Sequence, residues 1–465
     1  MTERIAIYHN RFDPPTVHHR QIAERLSEQF ERVIVVPSGP RCGPRAKPGE
    51  IPDSRAIHRA TMADLNFRGL PKCIVDLTDL ERQEFTPPVA LAERHAIANS
   101  EVWHVVSTDW IRDGATGHSV IQKEWDRGTQ EWTRSGFVVL REHGEPLEEA
   151  DLPPRHVLLE HTAHMPGNTI RMMLTQWEPV DDYLHPPVAA YIHRHGLFRD
   201  VPQSERTTFK PSAAQFQLFV DGWNKKSSNY GQLLAPYTIG EPTMIVPIGG
   251  DGTMLRAIRK HWRDRLPFFG INTGGVGFLL SGREVSAFWQ QELLLYHLPL
   301  LQVQAVLCDG SIRDSIAFNE AWVERATGQT AWIRVKVNGV ERIPQLVGDG
   351  VLVSTAAGST SYARAMGASP VPLNTEVLLL VGSNVLKPAF WRAAVLPLDA
   401  EIVLEAVDSV RRPLHGYCDG EMFPEPVQKL TIRVSRTAAV ELAFTRDHDP
   451  FAKLTDEQFP PNTLK

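Results

Sequence analysis

Residues Pro242–Lys260 read PTMIVPIGGDGTMLRAIRK. An apolar run, Met244–Ile248, ends in Gly249-Gly250-Asp251-Gly252-Thr253, after which Leu255, Ile258 and Trp262 recur on one helical face. Strand, glycine turn and helix in that order make half of an α/β unit. Glycines at such a turn let the backbone reverse sharply and let a phosphate approach with no Cβ in the way. The helix that follows points its first amides at an anion. Asp251 needs a separate reason, because a carboxylate repels phosphate. It can take a proton from an attacking hydroxyl or help to hold Mg²⁺. A plain Gly-Asp-Gly turn is the competing reading. No Lys-Ser or Lys-Thr closes the glycine run, which excludes the P-loop pattern.

Outward from this stretch the chain alternates between two periodicities. Ile5–His9, Val33–Val36, Val102–Val106 and Phe137–Leu140 are short apolar runs, while His18–Phe30 puts Ile22, Ala23, Leu26 and Phe30 on one helical face. Pro88–Ala98, Thr169–Leu174 and Val188–Leu197 also read as helices. This alternation predicts a parallel sheet covered by helices. The polar stretch RDVPQSERTTFKPS, Arg199–Ser212, marks a boundary. Beyond it Phe216–Trp223 reads as a helix. Farther on Ile333, Val335 and Val337 alternate with Arg334, Lys336 and Asn338, the period of half-solvated strands. The division is 1–199, a linker over 200–212, an α/β subdomain over 213–295, a β-rich subdomain over 296–450 and a polar tail over 451–465.

Composition narrows the function. Acidic residues (55) barely outnumber basic ones (49) over 465 residues, so no general affinity for nucleic acid or anionic membrane is expected. The four cysteines, Cys42, Cys73, Cys308 and Cys418, form no C-x-x-C pair, which argues against a zinc or disulfide framework and fits a reducing compartment. With no signal-like N-terminus and no long apolar window, the expected address is the cytoplasm.

Three further segments sharpen the glycine turn's meaning. Gly270–Leu280 reads GINTGGVGFLL, Phe318–Trp322 reads FNEAW, and Gly348–Ala368 reads GDGVLVSTAAGSTSYARAMGA. In content and order these resemble the NAD kinases over residues 212–445. Lipid kinases share the glycine-aspartate loop without the other segments. The resemblance implies that Asp251 is the general base on the 2′-hydroxyl of the adenosine ribose of NAD. It places Gly250, Gly252 and Thr253 along the phosphates and Arg256 on the dinucleotide or incoming phosphate. By the same resemblance Asn319 and Glu320 hold the adenosine half. Asn272, Asp349, Thr360, Ser361, Tyr362, Ala363, Arg364 and Ala365 line the rest. The usual Pro-Thr after Thr355 is here Ala356-Ala357, and the segment before the glycine turn is short.

The first half carries a second resemblance. Tyr8–Ala23 reads YHNRFDPPTVHHRQIA, a strand and a proline-stiffened turn, with His18 and His19 opening a helix whose N-terminus suits a phosphate. Adjacent histidines diverge on a helix and no third ligand stands at suitable spacing, so no dedicated metal site is expected. Phe12, Asp13, Pro14, Thr16 and His19 match the G-x-F-D-P-x-(H/T)-x-G-H signature of the nicotinate or nicotinamide mononucleotide adenylyltransferases. VPSGPRCGPRAK, STDW at Ser107–Trp110, GNTIR at Gly167–Arg171 and the closing YLHPPVAAYIHRHGLF resemble later segments of that family. The resemblance implies Thr16, His19 and Arg171 on a triphosphate, Asp109 and Trp110 in nucleotide recognition, and Thr169 in the phosphate segment. The chain departs from the signature where His18 replaces a glycine, where His9-Asn10-Arg11 opens the motif, and where Pro166-Gly167 replaces two serines.

The expected fold is α/β: a Rossmann-like nucleotidyltransferase domain, then an NAD kinase-like α/β subdomain with a β-rich subdomain. The expected function is bifunctional, joining a pyridine mononucleotide to AMP and phosphorylating NAD to NADP. ATP and NAD are substrates, Mg²⁺ arrives with ATP, and a homo-oligomer follows from the kinase resemblance. Two other readings stay open: a kinase with a regulatory N-terminal domain, or a non-catalytic dinucleotide sensor.

Overall fold

The computed structural model describes residues 2–40, 54–162, 164–199, 206–211, 214–282, 287–447 and 450–459. The chain divides into two compact units, Met1–Gln203 and Ser204–Lys465.

The first unit is built on six strands: β1 (Glu3–Asn10), β2 (Arg32–Pro37), β3 (Cys73–Val75), β4 (Ser100–Ser107), β5 (Gly136–Glu142) and β6 (His156–His161). They run parallel in the order β3-β2-β1-β4-β5-β6. Continuous apolar strands are what a sheet covered on both faces requires, and β1 shows why. Its Ala6 and Tyr8 pack with Ile22, Ala23 and Leu26 of helix Val17–Gln29 on one face. Its Ile5 and Ile7 pack with Leu91 of helix Pro88–His95 on the other. Leu26, wholly buried there, contributes about 2 kcal/mol relative to exposure. The strand order reverses between β1 and β4, and the carboxyl ends of strands at such a switch point leave a crevice.

The second unit begins with β7 (Arg206–Phe209), a strand inside the stretch read from sequence as a linker; it pairs antiparallel with Leu293–Tyr296. β8 (Phe216–Val220) overturns the helix expected at Phe216–Trp223. Phe216, Phe219 and Val220 mimic an i, i+3, i+4 stripe, but the run is short. It lies parallel to β9 (Met244–Gly249), in register from Phe216 opposite Met244 to Val220 opposite Ile248. Phe268–Phe269 and Ile271–Asn272 continue the parallel pairing on the other side of β9. Strands from Leu293 onward pair with one another antiparallel, dominated by the pair Leu293–Leu307 and Val427–Phe444, and the sheet closes on itself, with Val427–Phe444 lying parallel to Phe268–Phe269. Ile333, Val335 and Val337 point into its core with Leu404, Leu430 and Ile432, which is the alternation the sequence predicts. The stretch read as a tail contains a helix, Pro450–Gln458. Among the described residues no helix is long and apolar enough to cross a membrane.

Candidate functional site

β9 delivers Gly249 and Gly250 to the start of helix Asp251–His261, with Gly250 as its N-cap. A Cβ on Gly249 would stand 2.3 Å from Thr253 Oγ1, so only glycine permits the strand to enter the helix this tightly. Met254, Ala257 and Ile258 bury the inner face of the helix, and Asp251 at its start is half-buried. The Asp251 carboxylate accepts the Phe278 amide at 3.1 Å and the Leu279 amide at 2.9 Å, which ties the first glycine turn to the second. Each oxygen keeps a second lone pair. Buried Thr253 accepts a bond from Arg256 Nη2 at 3.2 Å, and the Arg256 side chain is otherwise exposed.

Asn272 builds the second turn. Its Oδ1 accepts the Gly274 amide at 2.9 Å, and its Nδ2 donates to the carbonyls of Gly275 (3.0 Å) and Val276 (3.1 Å). Asn272 thus spends its amide on the loop. Lys453, from helix Pro450–Gln458, donates to the Gly277 carbonyl at 2.8 Å and also to that of Leu280. Burial lowers its pKa, and the Asp251 charge opposes that shift. Sequence reasoning missed Lys453 because it lies in the presumed tail.

Asn319 and Glu320 sit on the turn between strands Ile312–Ala317 and Glu320–Arg325, both almost fully buried. The turn is organised by Asp419, which sequence reasoning also missed. Its carboxylate accepts the amides of Phe318 (2.6 Å), Asn319 (2.8 Å) and Glu320 (3.1 Å). Burial raises the Asp419 pKa, and the three amide bonds oppose that shift by favouring its ionised form. Burial first, and the Asp419 charge second, push Glu320 up to about 8, with a Ser361 hydrogen bond opposing. Asn319 Oδ1 and Glu320 Oε2 are buried with no hydrogen-bond partner among the described residues. Buried polar atoms are rarely left so unless a ligand or water completes them.

The remaining residues separate into two groups. Tyr362 is partly exposed, edge-on to Trp322 at 5.4 Å, and feels the charges of Glu324, Asp349 and Glu320. Thr360 is half-buried, and Ser361, Arg364 and Ala365 are exposed on the same segment. Asp349 is paired with Arg325 at 2.8 Å and accepts from Asn384 at 2.7 Å. Ala363, by contrast, is core, packed with Leu352 and Leu379. It cannot line a cleft. The segments converge: Met254, Leu279, Leu280, Phe318 and Ala357 share one apolar cluster. Ala357 fills this cluster where a hydroxyl would be buried.

In the first unit Thr16 caps helix Val17–Gln29. The His19 amide donates to Thr16 Oγ1 at 3.3 Å, and the Thr16 amide donates to His19 Nδ1 at 3.0 Å. An accepting Nδ1 leaves the ring proton on Nε2. Burial first, then the His18 and His164 charges, push His19 down to about 3, which makes it a neutral hydrogen-bond donor rather than a cation. Phe12 is core, with φ of 47° and edge-on contacts to Tyr8 and Phe67. Asp13 is buried and accepts the Ser54 amide at 2.9 Å. Arg171 is 2% exposed and donates to the Asp13 carbonyl, so it braces the turn from helix Gly167–Thr175 instead of offering charge to solvent. Thr169 is half-buried in the first turn of that helix. Asp109 is exposed and paired with Arg112 at 3.0 Å, and Trp110 packs against Trp125. Of VPSGPRCGPRAK, residues 41–47 lie outside the described residues.

Contrary to the expectation of no third ligand, His161 and His164 join His18. Burial first, then His164 and His161, push His18 down to about 3.

Comparison with known proteins picks out the second unit. Residues 197–292 match the family described as ATP-NAD kinase N-terminal domain. An NAD kinase of Rickettsia bellii is 33% identical over 241 residues, covering 51% of this chain and 94% of that kinase. One of Rickettsia canadensis is 32% identical over 237 residues, covering 50% and 90%. A crystal structure of an NAD kinase from Archaeoglobus fulgidus in complex with ATP aligns over 52% of this chain and 98% of its own, at 22% identity and a TM-score of 0.41.

Proposed function

Because the chain belongs to the NAD kinase family, we propose that its second unit transfers the γ-phosphoryl group of ATP to the 2′-hydroxyl of the adenosine ribose of NAD. The observation that carries this reading is the unpartnered pair, Asn319 Oδ1 and Glu320 Oε2, on a turn that shares its apolar cluster with the Asp251 helix. An amide reads an adenine edge, and a carboxylate accepts ribose hydroxyl protons. The ribose 2′-oxygen bonds to the γ-phosphorus, the bond to ADP breaks, and the hydroxyl proton passes to Asp251. Gly250, Gly252 and the helix amides leave room for the phosphates, with Arg256 at their edge. Thr360, Ser361, Tyr362, Arg364, Ala365 and Asp349 border the rest of the dinucleotide. Mg²⁺ enters as part of the ATP substrate. Incubating the full chain with ATP and NAD tests the assignment. NADP should form, and Asp251→Asn should slow it by about 10²- to 10⁴-fold. An unchanged rate removes Asp251 from the mechanism.

For the first unit we propose adenylyl transfer from ATP to nicotinamide or nicotinate mononucleotide. The mononucleotide phosphate attacks the α-phosphorus and pyrophosphate leaves, so the protein's task is positioning and charge stabilisation. A turn capped by Thr16 and His19, at the carboxyl end of β1 beside the switch point, supports this reading. Arg171 and Asp13 act as braces in it. Dinucleotide formed from ATP and either mononucleotide, and lost in Thr16→Ala, is the expected result. No dinucleotide from either one would leave this unit as a nucleotide-binding regulator of the kinase. We also propose a homo-oligomer, for which Leu386 and Phe390, 64% and 97% exposed, supply an apolar contact.

A further inference from the structure

The carboxyl end of β6 and the first turn of helix Val17–Gln29 bring three imidazoles together. His18, His161 and His164 each offer a ring nitrogen, and those nitrogens lie within 4.8 Å of one another. The His18 and His164 rings stack at 4.1 Å with 8° between their planes, and His161 meets His18 edge-on at 4.5 Å. The surrounding bonds orient the rings. His161 Nδ1 donates to the Thr162 carbonyl at 2.9 Å, which leaves Nε2 with its lone pair. Glu142 stands 3.7 Å from His164 Nδ1, a carboxylate behind an imidazole as second-shell groups stand behind metal-ligating histidines.

We propose that His18, His161 and His164 bind one divalent transition-metal ion, with zinc the ion that this donor set favours. Three neutral nitrogens and no carboxylate in the first shell disfavour Mg²⁺ and Ca²⁺, which take oxygen ligands. An anion would need protonated rings, and crowded imidazoles resist protonation. The ion fastens the β6 end to the helix that Thr16 caps, and leaves a fourth position toward solvent beside exposed His164. This site is independent of the adenylyl-transfer reading, because its readout is the metal itself.

The full chain, stripped with a chelator, is titrated with Zn²⁺ against a chromophoric competitor and with Co²⁺ for visible d–d absorption. One ion per chain is expected, with the absorption of a low-coordinate Co²⁺ site. His164→Ala should weaken binding by about 100-fold or more, and Glu142→Gln by about tenfold. His164 lies at the surface, so its variant keeps the fold, as circular dichroism would verify. His18→Gln gives a second, independent ligand removal. Failure of the wild type to bind one ion, or equal affinity in a His161→Ala/His164→Ala double variant, would overturn the site.

Discussion

Replacing Asp419 by Asn tests the geometry on which the kinase assignment depends. Asn tolerates the left-handed conformation found at this position, φ of 46°, so the backbone need not move. The amide oxygen keeps the two bonds that Oδ1 accepts from Asn319 and Glu320. Each changes from charge-assisted to neutral, a loss of about 1 kcal/mol. The NH₂ group replaces Oδ2 and faces the Phe318 amide, which at 1% exposure has no access to water. A buried unpaired donor costs about 1–3 kcal/mol. Relief of the repulsion on Glu320 returns part of this, leaving a net loss of about 3 kcal/mol, or a melting point about 6–12 °C lower for a unit of this size. Thermal and urea unfolding of the full chain measure it. A second readout separates electrostatics from packing: with the Asp419 charge gone, Glu320 ionises at lower pH, and the pH dependence of NAD binding moves down with it. A variant within about 0.5 kcal/mol of wild type, with an unmoved pH profile, would show that Asp419 does not hold the turn.

Glu320 gives a pH prediction of definite sign. Its folded pKa, about 8, lies above the unfolded 4.5, so its stabilising contribution is complete below about 4.5 and is lost as pH rises to about 8. Glu320→Gln should therefore gain stability relative to wild type across that window in urea melts. Wild-type NAD affinity should meanwhile rise, by up to about tenfold per pH unit, and stay flat in the variant. A Cβ at Gly358 would stand 2.5 Å from the Asn319 carbonyl oxygen and 2.7 Å from Glu320 Oε2, so Gly358→Ala should cost about 1–3 kcal/mol and raise the KM for NAD. A KM equal to wild type would separate this segment from the dinucleotide. Lys453→Met removes a donor from two carbonyls of the second glycine turn. Steady-state assays should show NADP formation slowed with NAD binding little changed, whereas an unaltered rate would reduce Lys453 to surface decoration. Phe390→Glu should yield a smaller species than wild type in sedimentation, and a wild type that already sediments as a monomer would dispose of the oligomer.

Local patterns were legible wherever neighbours in sequence decide the outcome. The apolar runs of β1, β2, β4 and β5 and the face of helix Val17–Gln29 follow from period alone, because both sheet faces are covered. β8 misled because two aromatic rings and a valine over five residues fit a helical stripe equally well, and only its pairing with β9 decides. Asp251, Asn319 and Glu320 stand out as chemically costly residues at turns. The residues that hold them do not stand out, since Asp419 bonds amides about a hundred positions earlier and Lys453 reaches back farther still. A signal existed for Asp419: Cys418-Asp419-Gly420 repeats the Asp-Gly turn seen at Asp349-Gly350. Nothing in the spacing of His18 and His161 announced their meeting, which depends on helix Val17–Gln29 crossing to the β6 side of the sheet, where Arg25 reaches the Glu160 carbonyl.

The short strand Arg206–Phe209 bears on how this chain can be cut. By lying along Leu293–Tyr296 it shields a row of amides and carbonyls that would otherwise face water at a sheet margin. Proteolysis upstream of Arg206 leaves that shield in place. A nick between Phe209 and Phe216 lets it peel away, and the bared margin becomes a rail on which another molecule's strand can dock and start a fibre.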